Sequence, residues 1–122
     1  MTSGHLLTGK TGEKEGVSYL KRVGYEILET NFKSPFGEID CITKSKGFIV
    51  FVEIKTRRQT AFGLPEEAVG AKKQRKIAQI AEWYLKLNHK LDAKVRFDVL
   101  SIFVQPSGSF EFHLIENAFE AV

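Results

Sequence analysis

The chain has little of several things, and each shortage closes off a class of protein. It holds one cysteine, Cys41, so no intrachain disulfide can form and no cysteine-based zinc site is available. Its longest apolar stretch, Phe48 to Val52, falls far short of the roughly 20 residues that a transmembrane helix needs. The first ten residues have neither the basic start nor the apolar block of a secretory signal, which predicts a cytoplasmic protein without a membrane partner. There is no repeat, low-complexity tract or linker. The three histidines, His5, His89 and His113, share no spacing that suits a metal or a catalytic pair.

What is present suits one folded domain over residues 1–122. A chain of 122 residues with 43% hydrophobic and 27% charged residues can build its own core. The net charge is only +3, but the basic residues cluster: Lys44, Lys46, Lys55, Arg57 and Arg58, then Lys72, Lys73, Arg75 and Lys76. Such clusters beside acidic residues can bind a polyanion and leave carboxylates for a cation. From charge alone, two solvated faces explain them equally well.

Apolar positions predict a helix over Gly12 to Val23, with Gly24 as its stop, and a strand over Tyr25 to Phe32. Ser34, Pro35 and Gly37 read as a turn. Glu38 to Lys44 and Phe48 to Lys55 read as a hairpin closed by Ser45, Lys46 and Gly47, whose second arm is apolar on both faces and therefore central. Thr56 to about Gly70 reads as a loop, with a helix approach at Pro65, Glu66 and Glu67. Ile77, Ile80, Ala81, Tyr84 and Leu85 then mark a second helix, with Trp83 half-buried on it. Val95 to Val104 and Phe110 to Ile115 complete the strands. The order αβββαββ predicts an α/β fold, a mixed sheet flanked by helices in two or three layers.

The chemistry concentrates on the hairpin. Residues two apart on a strand share a face, so Glu53 and Lys55 project together, roughly 7 Å apart. A turn centred on Lys46 and Gly47 sets Asp40 opposite Glu53, although a one-residue shift would flip the face. Two opposed carboxylates start about 5 Å apart at Cβ and repel unless a cation lies between them. Hard oxygen ligands select Mg²⁺ or Mn²⁺, held by Asp40, Glu53 and the carbonyl of Ile54, with Lys55 beside the attacking water or the scissile phosphate. A surface hairpin whose charged side chains meet only solvent is the plain alternative.

The run Gly37-Glu-Ile-Asp-Cys-Ile followed by Phe51-Val-Glu-Ile-Lys-Thr-Arg57 resembles the PD-(D/E)xK nuclease superfamily. More narrowly it resembles the small bacterial YraN-type family, which is similar to archaeal Holliday-junction resolvases. Gly9, Gly12-Glu13, Tyr19-Leu20, Gly24-Tyr25, Ile27-Leu28 and Asn31 extend the likeness, as do Phe62-Gly63, Lys73-Gln74, Tyr84-Leu85 and Arg96-Phe97-Asp98-Val99. It spans about Gly9 to Val104. The resemblance implies a restriction-endonuclease-like fold and metal-dependent hydrolysis of DNA, duplex or branched. It places Asp40, Glu53 and Lys55 at the core catalytic positions and Glu13 as the helix acid that completes the metal site. Glu15 competes with Glu13, since the two point about 200° apart on a helix. Ile39 stands where a proline is frequent, and Gly16 where alanine would be expected.

Arg57, Arg58, Lys72, Lys73 and Gln74 are the expected nucleic-acid contacts, and Phe62 is a loop aromatic that could stack on a base or pack on its own domain. Asp98 reads equally as a site acid or as the partner of Arg96. A nucleic-acid-binding module without cleavage, or an interaction scaffold, remain rival readings, and a homodimer stays open.

Overall fold

The doubly apolar third strand decides the architecture. The computed structural model describes residues 9–58 and 69–120, in the order α1 (Gly9–Arg22), β1 (Glu26–Ser34), β2 (Gly37–Ser45), β3 (Phe48–Arg58), α2 (Ala71–Leu87), β4 (Val95–Val104) and β5 (Phe110–Phe119). The strands form one sheet in chain order, antiparallel except for the parallel β3–β4 pair. This is the expected αβββαββ mixed sheet, with α2 in the crossover that parallel pairing demands.

β3 is central and buries both faces. Ile49 and Phe51 join Ile77, Ile80, Ala81, Tyr84 and Leu85 of α2, while Val50, Val52 and Ile54 join Leu20, with Val17 and Tyr19 packed against them from α1. Each helix covers one face, which gives three layers. α1 approaches β3 closely because two of its residues lack side chains. A Cβ on Gly12 would lie 1.8 Å from Thr56 Oγ1, and one on Gly16 would lie 3.0 Å from Ile54 Cδ1. Glycine rather than alanine at position 16 therefore follows from the helix–sheet distance.

Several boundaries differ from the sequence reading. Thr56, Arg57 and Arg58 continue β3 rather than opening a loop, because the parallel ladder runs on to Arg58↔Val104. β5 passes Ile115 and reaches Phe119, since a slip between Phe97 and Val99, with Asn117 at φ 53°, lets it re-pair at Phe97↔Phe119. α1 begins at Gly9 and ends at Arg22, and β1 runs from Glu26 to Ser34. At the β1–β2 turn, Ser34 Oγ accepts the Phe36 N–H and donates to Gly37 O. His5, Phe62, Gly63, Pro65, Glu66 and Glu67 lie outside the described residues.

Candidate active site

Hairpin register places the acids. Lys46 and Gly47, at φ 53° and 84°, form the two-residue turn that closes β2 on β3. The ladder then runs from Ser45↔Phe48 to Cys41↔Val52 and stops. Asp40 and Glu53 are the next positions out. Beyond them β2 stays with β1 as far as Gly37↔Ser34, and β3 stays with β4. The two strands part at the two acids, and Asp40 Oδ2 spans the opening by accepting the Ile54 N–H at 2.7 Å. The alternation of faces breaks at the same point: Ile39 packs in the α2-side core and Cys41 in the α1-side core. Asn31, between the β1 residues paired with these two, takes φ 53°.

An acid at such a fork can face both helices. Asp40 interacts with Glu13 of α1 and with Glu53, Lys55 and Lys73 on the α2 side. Glu53 is only 4% exposed, and Lys73 Nζ lies 3.5 Å from its Oε2. Burial, then the charge of Asp40, pushes the Glu53 carboxyl up to about 7 against the opposing pull of Lys73 and Lys55. Lys55 shares a hydrogen bond with Lys73, which together with burial lowers its ammonium below the usual lysine range. For Lys73 burial acts downward, but the Lys55 hydrogen bond and the carboxylates of Glu53 and Asp40 outweigh it, so its pKa rises. The Cys41 thiol, buried behind Asp40, is pushed up to about 12 by burial and by that carboxylate.

It is Glu13 that α1 turns toward Asp40. Burial, then the charge of Asp40 and a hydrogen bond shared with it, raises the Glu13 carboxyl. With its amide nitrogen facing the acids, Asn31 donates to Glu13 Oε1 and Glu38 Oε2 at 2.9 Å each. The sequence reading gave Asn31 no role beside these acids; its available signal was the tolerance of asparagine for positive φ.

The other nominated residues separate. Lys73, expected at phosphates, reaches inward to Glu53 and Lys55 from the first turn of α2. Gln74 Nε2 donates to Val69 O at 3.0 Å, a local tie at the start of that helix. Lys72 is exposed, and Arg57 is half-buried with its Nε unpaired. Arg58 ends β3, and its side chain lies outside the described part. Asp98 belongs to a different cluster: its carboxylate accepts from Tyr25 Oη at 2.6 Å, from Arg96 Nε at 2.9 Å and from the Asn117 N–H at 2.9 Å. Arg96 also donates to Tyr25 Oη and lies over the Tyr25 and Phe48 rings. Burial first, then the Asp98 hydrogen bond, drives the Tyr25 hydroxyl pKa upward, so it stays protonated.

Among the described residues no three His, Cys, Asp or Glu side chains gather into a ready-made metal site. Mg²⁺ needs only one or two carboxylates, with water and phosphate oxygens completing its shell. Asp40 and Glu53 fit that requirement, and a buried acid raised to about 7 is one that a cation would relieve. Ile54 contributes its N–H to holding Asp40, and its side chain packs toward α1.

A pH dependence follows. A carboxyl with a folded pKa above its unfolded value binds more protons when folded between the two, so stability falls as pH rises through that window. For Glu53 the window runs from about 4.5 to about 7. Urea unfolding of the parent should lose at most about 1.4 kcal/mol per pH unit there relative to Glu53→Gln. Parallel pH profiles for the two proteins would refute the buried-acid assignment.

Among the described residues no helix is long and apolar enough to cross a membrane. A family model described as "Uncharacterised protein family UPF0102" matches residues 12–102. A UPF0102 protein of Syntrophus aciditrophicus is 44% identical over 116 residues, covering 95% of this chain and 91% of its own. Those of Acetivibrio thermocellus and Persephonella marina are each 45% identical, covering 91% and 93% of this chain and 89% and 94% of theirs. A solved structure of SfsA from Pyrococcus furiosus in complex with Ca²⁺ is 16% identical, with a TM-score of 0.38 over 85% of this chain and 58% of that one. That likeness is too loose to bear on activity. The match over the strands and both helices that build the site is decisive: the chain belongs to the uncharacterised protein family UPF0102, the YraN-type family that its sequence resembles.

Proposed function

We propose that this protein is a metal-dependent nuclease that hydrolyses DNA phosphodiester bonds. One observation carries the reading: Asp40 and a buried Glu53 meet where β2 and β3 part, with Lys55 and Lys73 against them. A solvated surface hairpin has no reason to bury an acid at 4% exposure beside another acid, since desolvation and repulsion both disfavour it. Asp40 and Glu53 would hold a Mg²⁺ or Mn²⁺ ion, which when bound supplies charge for the phosphate and a more acidic water. Asp40 is held for this by the Ile54 N–H, and Glu13 is held near it by Asn31. Lys55, set beside Glu53 and Lys73 with its pKa lowered, can face the charge that builds on phosphorus. Exposed Lys72 and half-buried Arg57 flank the cluster as phosphate contacts.

The Lys73–Glu53 pair favours one rival, a nucleic-acid-binding module, because a lysine already balances part of the acidic charge. Labelled duplex, flap, single-stranded and four-way DNA with Mg²⁺ or Mn²⁺ separates the two. Cleavage should require the metal and vanish in Asp40→Ala. Salt-dependent binding of all four forms with no cleavage under either metal would make the binding module the better reading.

A further inference from the structure

We infer that Phe36 and Trp83 form a stacking platform for an unpaired base of a nucleic-acid strand that enters the site along α2. Phe36, on the β1–β2 turn, and Trp83, on the outer side of α2, meet edge to face with ring centroids 6.0 Å apart. They remain 41% and 36% exposed, so the pair presents aromatic surface to solvent rather than to the core. Single exposed aromatics are ordinary, but two that hold each other beside a basic stripe are not. On α2, Lys72, Lys76, Gln79 and Trp83 recur at four, three and four residue steps and therefore lie along one face. The Lys76 stem passes over the turn that carries Phe36, since a Cβ on Gly37 would lie 3.4 Å from Lys76 Cδ. The nearest acid on the helix, Glu82, has its own partner in Lys86 at 3.9 Å.

Geometry links the platform to the acids. Lys73, against Glu53, and Trp83 are separated by about 15 Å of helix at 1.5 Å per residue. A strand of only a few nucleotides spans that distance. A strand with its phosphates on Lys72 and Lys76 would bring a base to Trp83 while its backbone reaches the fork. Base stacking on aromatics tolerates any sequence and requires a face that is not already paired, so the platform selects single-stranded or frayed DNA over intact duplex. This inference rests on the nucleic-acid reading of the site and adds to it a substrate form.

Trp83 is the only tryptophan in the chain, so its fluorescence reports on this one position. In EDTA, to prevent cleavage, an oligothymidylate should quench it strongly. An abasic oligonucleotide of equal length, carrying the same phosphates, should quench it weakly, as should a blunt duplex. By anisotropy, Trp83→Ala and Phe36→Ala should each weaken single-strand binding about tenfold and leave duplex binding and its salt slope unchanged. Phe36→Ala keeps the test valid if loss of Trp83 disturbs the helix. Equal quenching and affinity for abasic and base-containing strands would overturn the platform while leaving the nuclease reading intact. So would sedimentation showing that the two substitutions abolish self-association without altering DNA affinity. Failure of every DNA form to bind would overturn both.

Discussion

Replacing Lys55 by alanine is expected to lower DNA cleavage by two to three orders of magnitude while DNA affinity stays within several-fold. The size is that of losing one preorganised donor at a developing charge, about 100- to 1,000-fold in turnover. Affinity survives because Lys72 and Arg57, which flank the cluster, are untouched. Lys55 is set apart from those residues by its contact with Lys73 and Glu53 inside the cluster and by its lowered pKa. Arg57→Ala should do the reverse, weakening binding and its salt slope with turnover at saturating DNA little changed. Lys73→Ala provides an internal control with a different signature. Lys73 holds the Glu53 pKa down, so its removal should move the acidic limb of the pH–rate profile to higher pH. A folded Lys55→Ala protein that cleaves as fast as the parent would falsify the assignment.

The second large effect concerns stability. Asp98→Ala removes the acceptor that Tyr25, Arg96 and the Asn117 N–H share, and leaves a guanidinium buried with little compensation. Breaking a buried pair from one side costs about 3 to 5 kcal/mol, a large part of the 5 to 15 that a domain has. Glu116 lies 3.7 Å from Arg96 Nη1 but is half exposed, so it recovers little of that. Tyr25→Phe, which loses one hydroxyl, should cost about 1 to 2 kcal/mol. Urea unfolding curves measure both. A loss below about 1 kcal/mol in Asp98→Ala would mean that the slip in β5 and the α1–β1 junction do not depend on this ring of contacts.

Much of this arrangement was legible in the sequence because it is local. The apolar run of β3, the Lys46-Gly47 turn and the helical spacing of Ile77, Ile80 and Tyr84 each announce an element within a few residues, and the turn register makes Asp40 and Glu53 the first positions beyond the last paired rung. Features that depend on distant partners were not legible. Thr56 to Arg58 look like loop residues until β4 pairs with them, and the last strand looks finished at Ile115 until the slip that carries it on to Phe119 is seen. Lys73 was read with its basic neighbours because sequence order does not reveal which lysine of an exposed run turns toward the sheet. Asp98 was evenly balanced for the same reason. Its partners, Tyr25 and Asn117, stand far from it in the chain.

Gly12 and Gly16 add a final consequence. Glutamate has a fixed reach, so whether Glu13 arrives beside Asp40 depends on how far the backbone of α1 stands off the sheet. That stand-off is set where two hydrogen atoms occupy the places of side chains, against Thr56 and Ile54. One of these glycines immediately precedes the glutamate, and the other lies one residue beyond Glu15. The helix carboxylate is thus positioned by its neighbours' lack of bulk, and bulk added where the helix backbone meets the sheet would withdraw it from the fork without touching any charged atom.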